Sequence, residues 1–319
     1  MRIKTVVLYV SVPLTTIALW YFNGGMWITP DVFFVLALVV ALCTQRARLF
    51  LIDWSFFLLI LFSYEALRGI IPDAYGRAVR QGLIDIDTYL FGRVPSVVLQ
   101  QFLWKGSPQW YDVFFTAVYV MHFVTPLLFG YALWRQSREK YYRFIVSLVM
   151  LSFAAFTVYY FIPAAPPWLA AHEGILSGIT HIQTQVYMSL GASIGLVVPD
   201  VLTIYDLVGA NAVAALPSLH AAYPFLLFLF ARTYFGKKVT SLAALYMVTV
   251  WFAVIYLGDH YVVDVLLGIV FAGIAYVVAN YAIDKFSHSP TYHQLLSLDH
   301  WLQNVETPSV RKDVISKKN

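Results

Sequence analysis

The sequence predicts an all-α, polytopic membrane protein with about eight transmembrane helices. Of its 319 residues, 60% are hydrophobic and only 12% are charged, and the mean hydropathy is +0.71. Soluble domains have roughly 45–50% apolar and about 25% charged residues, so the composition excludes a soluble protein. Aromatic residues make up 17% of the chain, which is typical of proteins with aromatic belts at both membrane–water interfaces.

Long apolar segments set the number of predicted helices. A helical span needs about 20 mostly apolar residues, and the candidates are the ranges 5–22, 29–44, 53–69, 111–134, 141–162, 218–235, 239–257 and 261–284. The first range lacks a small-residue cleavage site, which predicts a retained helix, with a signal peptide as the alternative. Residues 1–52 then form N-terminal transmembrane helices, residues 53–284 a catalytic membrane core, and residues 285–319 a polar cytoplasmic tail that is partly disordered.

The positively charged residues predict the orientation of these helices. With the N-terminus inside, five of the 21 Lys and Arg residues fall on the outer side, which leaves 16 on the inner side. The outer five are Arg68, Arg77, Arg80, Arg93 and Lys105. Because the inner loops of membrane proteins carry the excess of Lys and Arg, both termini are predicted to be cytoplasmic.

Two long outer segments connect the predicted spans. Residues 69–110 read as amphipathic, which predicts a helix lying in the membrane interface. Residues 163–217 begin with Pro163, Pro166 and Pro167, which end the fifth span and force an extended turn. The rest of this segment has no Lys or Arg up to Val213, so we expect it to lie in the interface or to cover a site.

Polar residues occur at the N-terminal ends of the sixth and eighth predicted spans. Ser218 and His220 lie at the start of the sixth span, and His260 and Asp264 lie at the start of the eighth. A spacing of four puts His260 and Asp264 on one helix face, where the carboxylate can accept the Nδ1–H and leave Nε2 basic for nucleophilic attack. His220 can then act as a proton donor. This arrangement predicts phosphoryl transfer through a phosphohistidine.

The two helix starts also predict where the phosphate binds. Helix N-termini present free N–H groups and a partial positive charge, which favour an anion. Under the predicted orientation both starts lie on the outer face. They would form a phosphate site at the depth of the lipid headgroups, on the periplasmic, extracellular or lumenal side.

These motifs resemble the second and third signature motifs of the type 2 phosphatidic acid phosphatase superfamily. Within that superfamily, the motifs most resemble one branch, the aureobasidin-resistance-like inositol phosphotransferases, which are inositol phosphorylceramide synthase-like. The stretches that carry it are Tyr256–Asp264 with Gly268, Pro217–His220, Ala165–Trp168, Asp87–Gly92 and His122–Pro126. The resemblance spans roughly residues 65–275 and implies a six-helix core.

The resemblance also implies a reaction. His260 would attack phosphorus, Asp264 would orient the His260 imidazole, and His220 would protonate the leaving oxygen. Ser218 would help to hold the phosphate, with no metal or other cofactor. A phosphoinositol headgroup would pass from a phospholipid donor to a ceramide-like lipid alcohol in the bilayer, with no nucleic acid involved. One alternative is a phosphatase acting on phosphatidic acid or polyprenyl (pyro)phosphate, and another is a non-catalytic lipid transporter or scaffold.

The sequence departs from the wider superfamily in its cationic residues. Val254 stands where the third motif usually carries an arginine, six residues before the histidine, and the Lys and Arg-Pro of the first motif have no counterpart. The phosphate-binding cations must therefore come from the other outer residues, for which Arg68, Arg77 and Arg80 are the candidates. Contact of Arg77 and Arg80 with anionic lipid headgroups is the alternative.

Three further residues, His122, Tyr261 and Trp168, are assigned to substrate binding. His122, predicted in the middle of the fourth span, is either a substrate contact or a buried histidine. The catalytic motifs also have structural alternatives. His260 and Asp264 could anchor two helices, Ser218 could cap the sixth span, or the two histidines and Asp264 could bind zinc. The lone Cys43 excludes a thiolate cluster. His172 and His181 are predicted to be loop residues.

Overall fold

The computed structural model describes residues 74–200, 202–203 and 211–293, together with Phe50, 52–54 and Phe57. The chain divides into two units, Leu58–Ala279 and a second that combines Met1–Phe57 with Asn280–Asn319. The predicted spans 5–22 and 29–44, most of 53–69, and Arg68 lie outside the described residues, as does the tail beyond residue 293.

The described residues confirm the all-α prediction. In chain order the helices are α1 (Ala74–Arg77), α2 (Gln81–Phe91), α3 (Pro95–Leu103), α4 (Trp110–Val120), α5 (Thr125–Gln136), α6 (Arg138–Phe161), α7 (Pro167–His172), α8 (Ile182–Ser193), α9 (Leu219–Tyr234), α10 (Lys237–Tyr256) and α11 (Val262–Phe286). The described ranges contain no β-strand beyond isolated bridges that join Val79 to Ala164 and Ala164 to Ala214.

Within the described part of the chain, three helices are long and apolar enough to cross a membrane. They are α6, α10 and α11, and the pair α4–α5 is a fourth candidate if it counts as one span. These helices coincide with four of the predicted spans, and α9, of 16 residues, coincides with the span predicted at 218–235. The protein is an integral membrane protein. The total of eight spans stays a prediction.

The fourth predicted span is broken. Helices α4 and α5 are bent by 51°, and a 3₁₀ turn, Met121–Phe123, lies between them. Pro126 explains the break, because proline has no N–H for the helical hydrogen bond to the carbonyl of residue 122. The prediction that His122 lies in the middle of a helix is therefore wrong, since this histidine lies in the turn.

Residues 74–110, the described part of the predicted outer segment 69–110, contain three short helices before α4, where one interfacial helix was predicted. Gly92 ends α2 with φ of 77°, and Pro95 begins α3 at a position where its missing N–H costs nothing. Asp87 on α2, together with Ser96 and Gln100 on α3, is buried. These helices therefore direct polar groups into the protein.

Candidate active site

Two helix starts bring the predicted catalytic residues together. His220 lies in the first turn of α9 and His260 lies just before α11, and Nδ1 of His220 is 3.1 Å from Nε2 of His260. The Ser218 N–H donates to the backbone carbonyl of Asp264 at 3.0 Å. His260 is buried, and Asp264 is fully buried. These four residues form one site.

Asp264 orients the imidazole of His260. Nδ1 of His260 is 3.4 Å from Oδ2 of Asp264, and the backbone N–H of Tyr261 donates to the same oxygen at 2.9 Å. Nδ1 therefore faces the carboxylate and Nε2 faces His220. A basic nitrogen on one side and a carboxylate on the other is the arrangement of an activated nucleophile, and such contacts commonly shorten when substrate binds.

Ser218 caps the helix that carries His220. Its Oγ accepts the N–H of Ala221 at 3.2 Å, as expected for an N-cap serine. Helix α11 passes so close to this turn that a Cβ on Gly268 would lie 2.4 Å from the Ser218 carbonyl oxygen. The contact of Ser218 with phosphate stays a prediction. The close approach of α11 shows why the chain has a glycine at 268.

A third histidine lies against His220. The ring of His122 is centred 4.0 Å from the ring of His220, and Tyr119 stacks on the same imidazole at 4.2 Å. Tyr223 stacks on His122 at 5.5 Å. Neither tyrosine was predicted as a site residue, although Tyr223 lies three positions after His220 on α9 and so shares its helix face.

The predicted phosphate-binding arginines make other contacts. Arg80 forms an ion pair with Glu173 through Nε and Oε2, and through Nη2 and Oε1 at 2.8 Å. The hydrogen bond from Arg80 lowers the pKa of Glu173. Arg77 donates to the Tyr160 carbonyl at 3.2 Å. The phosphate-binding role of these arginines stays a prediction, and for Arg80 it requires that the pair with Glu173 open.

The other predicted substrate contacts lie in buried clusters. Tyr261 is fully buried among apolar side chains that include Leu83 and Ala215. Trp168 is also buried, and its ring lies 4.9 Å from the ring of His181. Substrate binding by Tyr261 and Trp168 stays a prediction.

A second His–Asp pair includes Asp259, the residue before His260. Oδ1 of Asp259 is 3.2 Å from Nε2 of His181, and Oδ2 accepts from the amide of Gln183 at 3.0 Å. Nδ1 of His181 is 2.7 Å from Oγ1 of Thr184. His181, predicted to be a loop residue, therefore joins the start of α8 to the loop that carries His260. The partners are 78 residues apart in the chain, so no local pattern could have revealed the pair.

Asp87 occupies the start of α11. Its two carboxylate oxygens accept the backbone N–H groups of Val262 at 2.9 Å and Val263 at 3.0 Å. Burial raises the pKa of Asp87, and the two N–H donors oppose that rise. The prediction that this helix start offers free N–H groups to phosphate is wrong for these two groups, because a carboxylate of the protein already binds them.

A histidine backed by a carboxylate and faced by a second histidine, inside an all-α membrane protein, is suited to phosphoryl transfer on lipids. The described residues contain no group of three or more His, Cys, Asp or Glu placed to hold a metal ion. Comparison with known families agrees with this class of enzyme: the chain belongs to the PAP2 superfamily, whose family model matches residues 81–278. It is a lipid phosphotransferase or phosphatase.

One relative with a named activity indicates the branch of the superfamily. The phosphoinositol dihydroceramide synthase of Bacteroides thetaiotaomicron is 32% identical over 217 residues, which cover 64% of this chain and 68% of that protein. No solved structure matches the chain. The superfamily and the inositol phosphotransferase branch predicted from the sequence are confirmed.

Proposed function

We propose that the protein transfers a phosphoinositol-type headgroup from a phospholipid to a ceramide-like lipid alcohol, through a phosphohistidine on His260. The observation that carries this proposal is the position of His260 between two partners, with Nε2 at 3.1 Å from His220 and Nδ1 at 3.4 Å from Asp264. The name of the relative supports the choice of headgroup and acceptor.

The resting contacts are compatible with one starting protonation. If Nδ1–H of His260 points to Asp264, Nε2 carries a lone pair and accepts the Nδ1–H of His220. Because Nε2 of His260 faces His220, the phosphorus of the donor has to enter between the two rings and open their 3.1 Å contact. His220 is then next to the oxygen that leaves.

The reaction follows in two displacements. In the first, Nε2 of His260 attacks phosphorus, the bond to the diacylglycerol oxygen breaks, and protonated His220 gives its proton to that oxygen. In the second, the acceptor hydroxyl attacks phosphorus and gives its proton back to His220, and the bond between phosphorus and His260 breaks. Asp264 stabilises the charge that develops on His260. Water in place of the lipid alcohol would make the same site a phosphatase.

The site faces the outside of the membrane in this proposal. Arg138 and Lys140 lie in the first turn of α6, and Lys237 and Lys238 begin α10. On α10 the catalytic loop follows the opposite end, at Tyr256. The excess of cations on inner loops then puts His260 on the outer side, with both termini cytoplasmic.

The test is a transfer assay with purified protein in detergent and EDTA. The donor is phosphatidylinositol labelled in its headgroup, the acceptor is a ceramide, and labelled lipid product and free phosphate are both followed. We expect headgroup transfer by the wild type and a loss of at least about 10³-fold in His260→Ala. The exposed His172 supplies a matched control, since His172→Ala should keep its activity.

The same assay, with phosphatidic acid supplied in a separate reaction and lipid binding measured alongside, separates the alternatives. Release of phosphate from phosphatidic acid without any labelled product would replace the transferase with a phosphatase. Lipid binding that persists in wild type and His260→Ala, without turnover of any donor, would leave a transporter or scaffold.

A further inference from the structure

The two segments predicted to lie outside, 69–110 and 163–217, form hydrogen bonds with the stretch that carries His260. Six of the eight residues from Tyr256 to Val263 take part in these bonds. The bonds from α3 are Gln100 Nε2 to the Tyr256 carbonyl at 2.9 Å and Ser96 Oγ to the His260 carbonyl at 3.3 Å. The Trp168 N–H donates to the Gly258 carbonyl at 2.9 Å. The side chains of His181 and Gln183 contact the Asp259 carboxylate. The Asp87 carboxylate accepts the N–H groups of Val262 and Val263. The position of His260 therefore depends on segments distant in the chain.

Asp87 makes the bonds that bear most directly on the catalytic pair. It is fully buried, and each of its oxygens accepts one N–H of the first turn of α11. Hydrogen bonds from N–H groups to a carboxylate are stronger than those to neutral acceptors, and negative charge is favoured at a helix N-terminus. Asp87 thus acts as an N-cap supplied by a different helix.

The turn that Asp87 fixes is the turn that joins His260 to Asp264. Val262 and Val263 lie between these two residues, and the Tyr261 N–H also binds the Asp264 carboxylate. If the first turn of α11 unwound, Asp264 would no longer lie beside Nδ1 of His260. The alignment of the nucleophile therefore depends on the two N–H groups that Asp87 accepts.

We infer that Asp87 is a positioning residue for the transfer reaction. It acts through Val262 and Val263 to keep His260 aligned with Asp264 and with His220. This inference rests on the proposed function, because alignment has a kinetic consequence only where His260 is the nucleophile. A misplacement of about 1 Å in a catalytic group costs about 10²-fold in rate.

The test compares Asp87→Asn and Asp87→Ala with wild type in the transfer assay. Asparagine keeps one carbonyl oxygen and alanine keeps none, so we expect kcat to fall about 10-fold in Asp87→Asn and about 10²-fold in Asp87→Ala. The KM for donor and acceptor should stay unchanged. Asp85→Asn is the matched control, because Asp85 lies on the same helix, is exposed and binds Gln81 at 2.8 Å.

A second readout does not depend on activity. Amide hydrogen exchange in the peptide that contains Val262 and Val263 should be faster in Asp87→Ala than in wild type, while the peptides of α6 exchange as before. If Asp87→Ala does not fold, Asp87→Asn takes its place in both readouts.

The outcomes separate this inference from the proposed function. Wild-type kcat in both Asp87 variants, or a rise in KM at constant kcat, would overturn the positioning role while the transfer reaction stands. If the wild type transfers no headgroup, the proposed function fails. In that case the kcat of the Asp87 variants is measured on any phosphate release that depends on His260. Amide exchange at Val262 and Val263 that is the same in Asp87→Ala as in wild type would then overturn the role of Asp87.

Discussion

At the scale of single residues, substitutions of His122 can tell whether this histidine contacts the substrate through a ring nitrogen or only packs against its neighbours. Its ring is buried and lies 4.0 Å from the ring of His220. His122→Phe keeps the aromatic ring and removes both nitrogens, whereas His122→Gln loses the ring and keeps a hydrogen-bond donor. Loss of one hydrogen bond to a charged group costs about 1.5–3 kcal/mol, so a phosphate contact predicts a fall of about 10- to 100-fold in kcat/KM for His122→Phe.

The order of the two His122 variants decides between the roles. If His122 contacts substrate, His122→Gln should be more active than His122→Phe. If the histidine only fills space between His220 and Tyr223, the phenylalanine variant should be the more active one and should keep the thermal stability of the wild type. Steady-state kinetics with both substrates, together with thermal unfolding in detergent, would show which order holds.

The sequence reveals those site contacts that are local in the chain. His260 and Asp264 are four residues apart, so the short stretch that leads into the first turn of α11 brings them together. Asp87 lies 175 residues before Val262, and His181 lies 78 residues before Asp259. Those contacts depend on how α2 and the segment before α8 pack against the residues between α10 and α11, which hydropathy and helix periodicity do not encode.

At the scale of helices, Gly268 sets how closely α11 approaches the start of α9. A Cβ at this position would lie 2.4 Å from the Ser218 carbonyl oxygen, and a backbone atom cannot move aside as a flexible side chain can. Gly268→Ala should therefore separate Asp264 from the turn that carries His220. Overpacking of this kind typically costs about 1–3 kcal/mol, so we expect a lower thermal midpoint and a loss of transfer activity.

Gly273 on the same helix provides the matched control. A Cβ there would meet nothing within 4 Å, so Gly273→Ala should keep both the thermal midpoint and the activity. Equal behaviour of the two alanine variants would show that α11 can shift without effect on the site.

Apolar length predicted the long helices well, since the range 141–162 corresponds to Arg138–Phe161 and the range 261–284 to Val262–Phe286. A hydropathy window averages over about 19 residues and so does not register the break between α4 and α5. Pro126 was a visible signal for that break. Short helices such as α2 and α3 are too brief for periodicity to decide, and their bounds follow from Gly92 and Pro95.

At the scale of the whole molecule, α10 separates a basic end from the end that carries the candidate active site, which is called the catalytic end below. Helix α10 has 20 residues and is therefore about 30 Å long, close to the roughly 30 Å thickness of the hydrocarbon core. It starts at Lys237 and ends at Tyr256 beside the catalytic loop. The connection around Ser107 lies at the catalytic end, because Leu103 and Trp104 pack against the cluster that contains Tyr256.

Single-cysteine labelling tests which end faces outward. With Cys43, the chain's one cysteine, replaced by serine, the exposed positions Ser107 and Lys238 would each be changed to cysteine. We expect a membrane-impermeant maleimide to label Ser107→Cys in intact cells and Lys238→Cys only after permeabilisation, since the inner loops hold the cations. The opposite pattern would place His260 on the cytoplasmic side, where the donor and acceptor would have to be lipids of the inner leaflet.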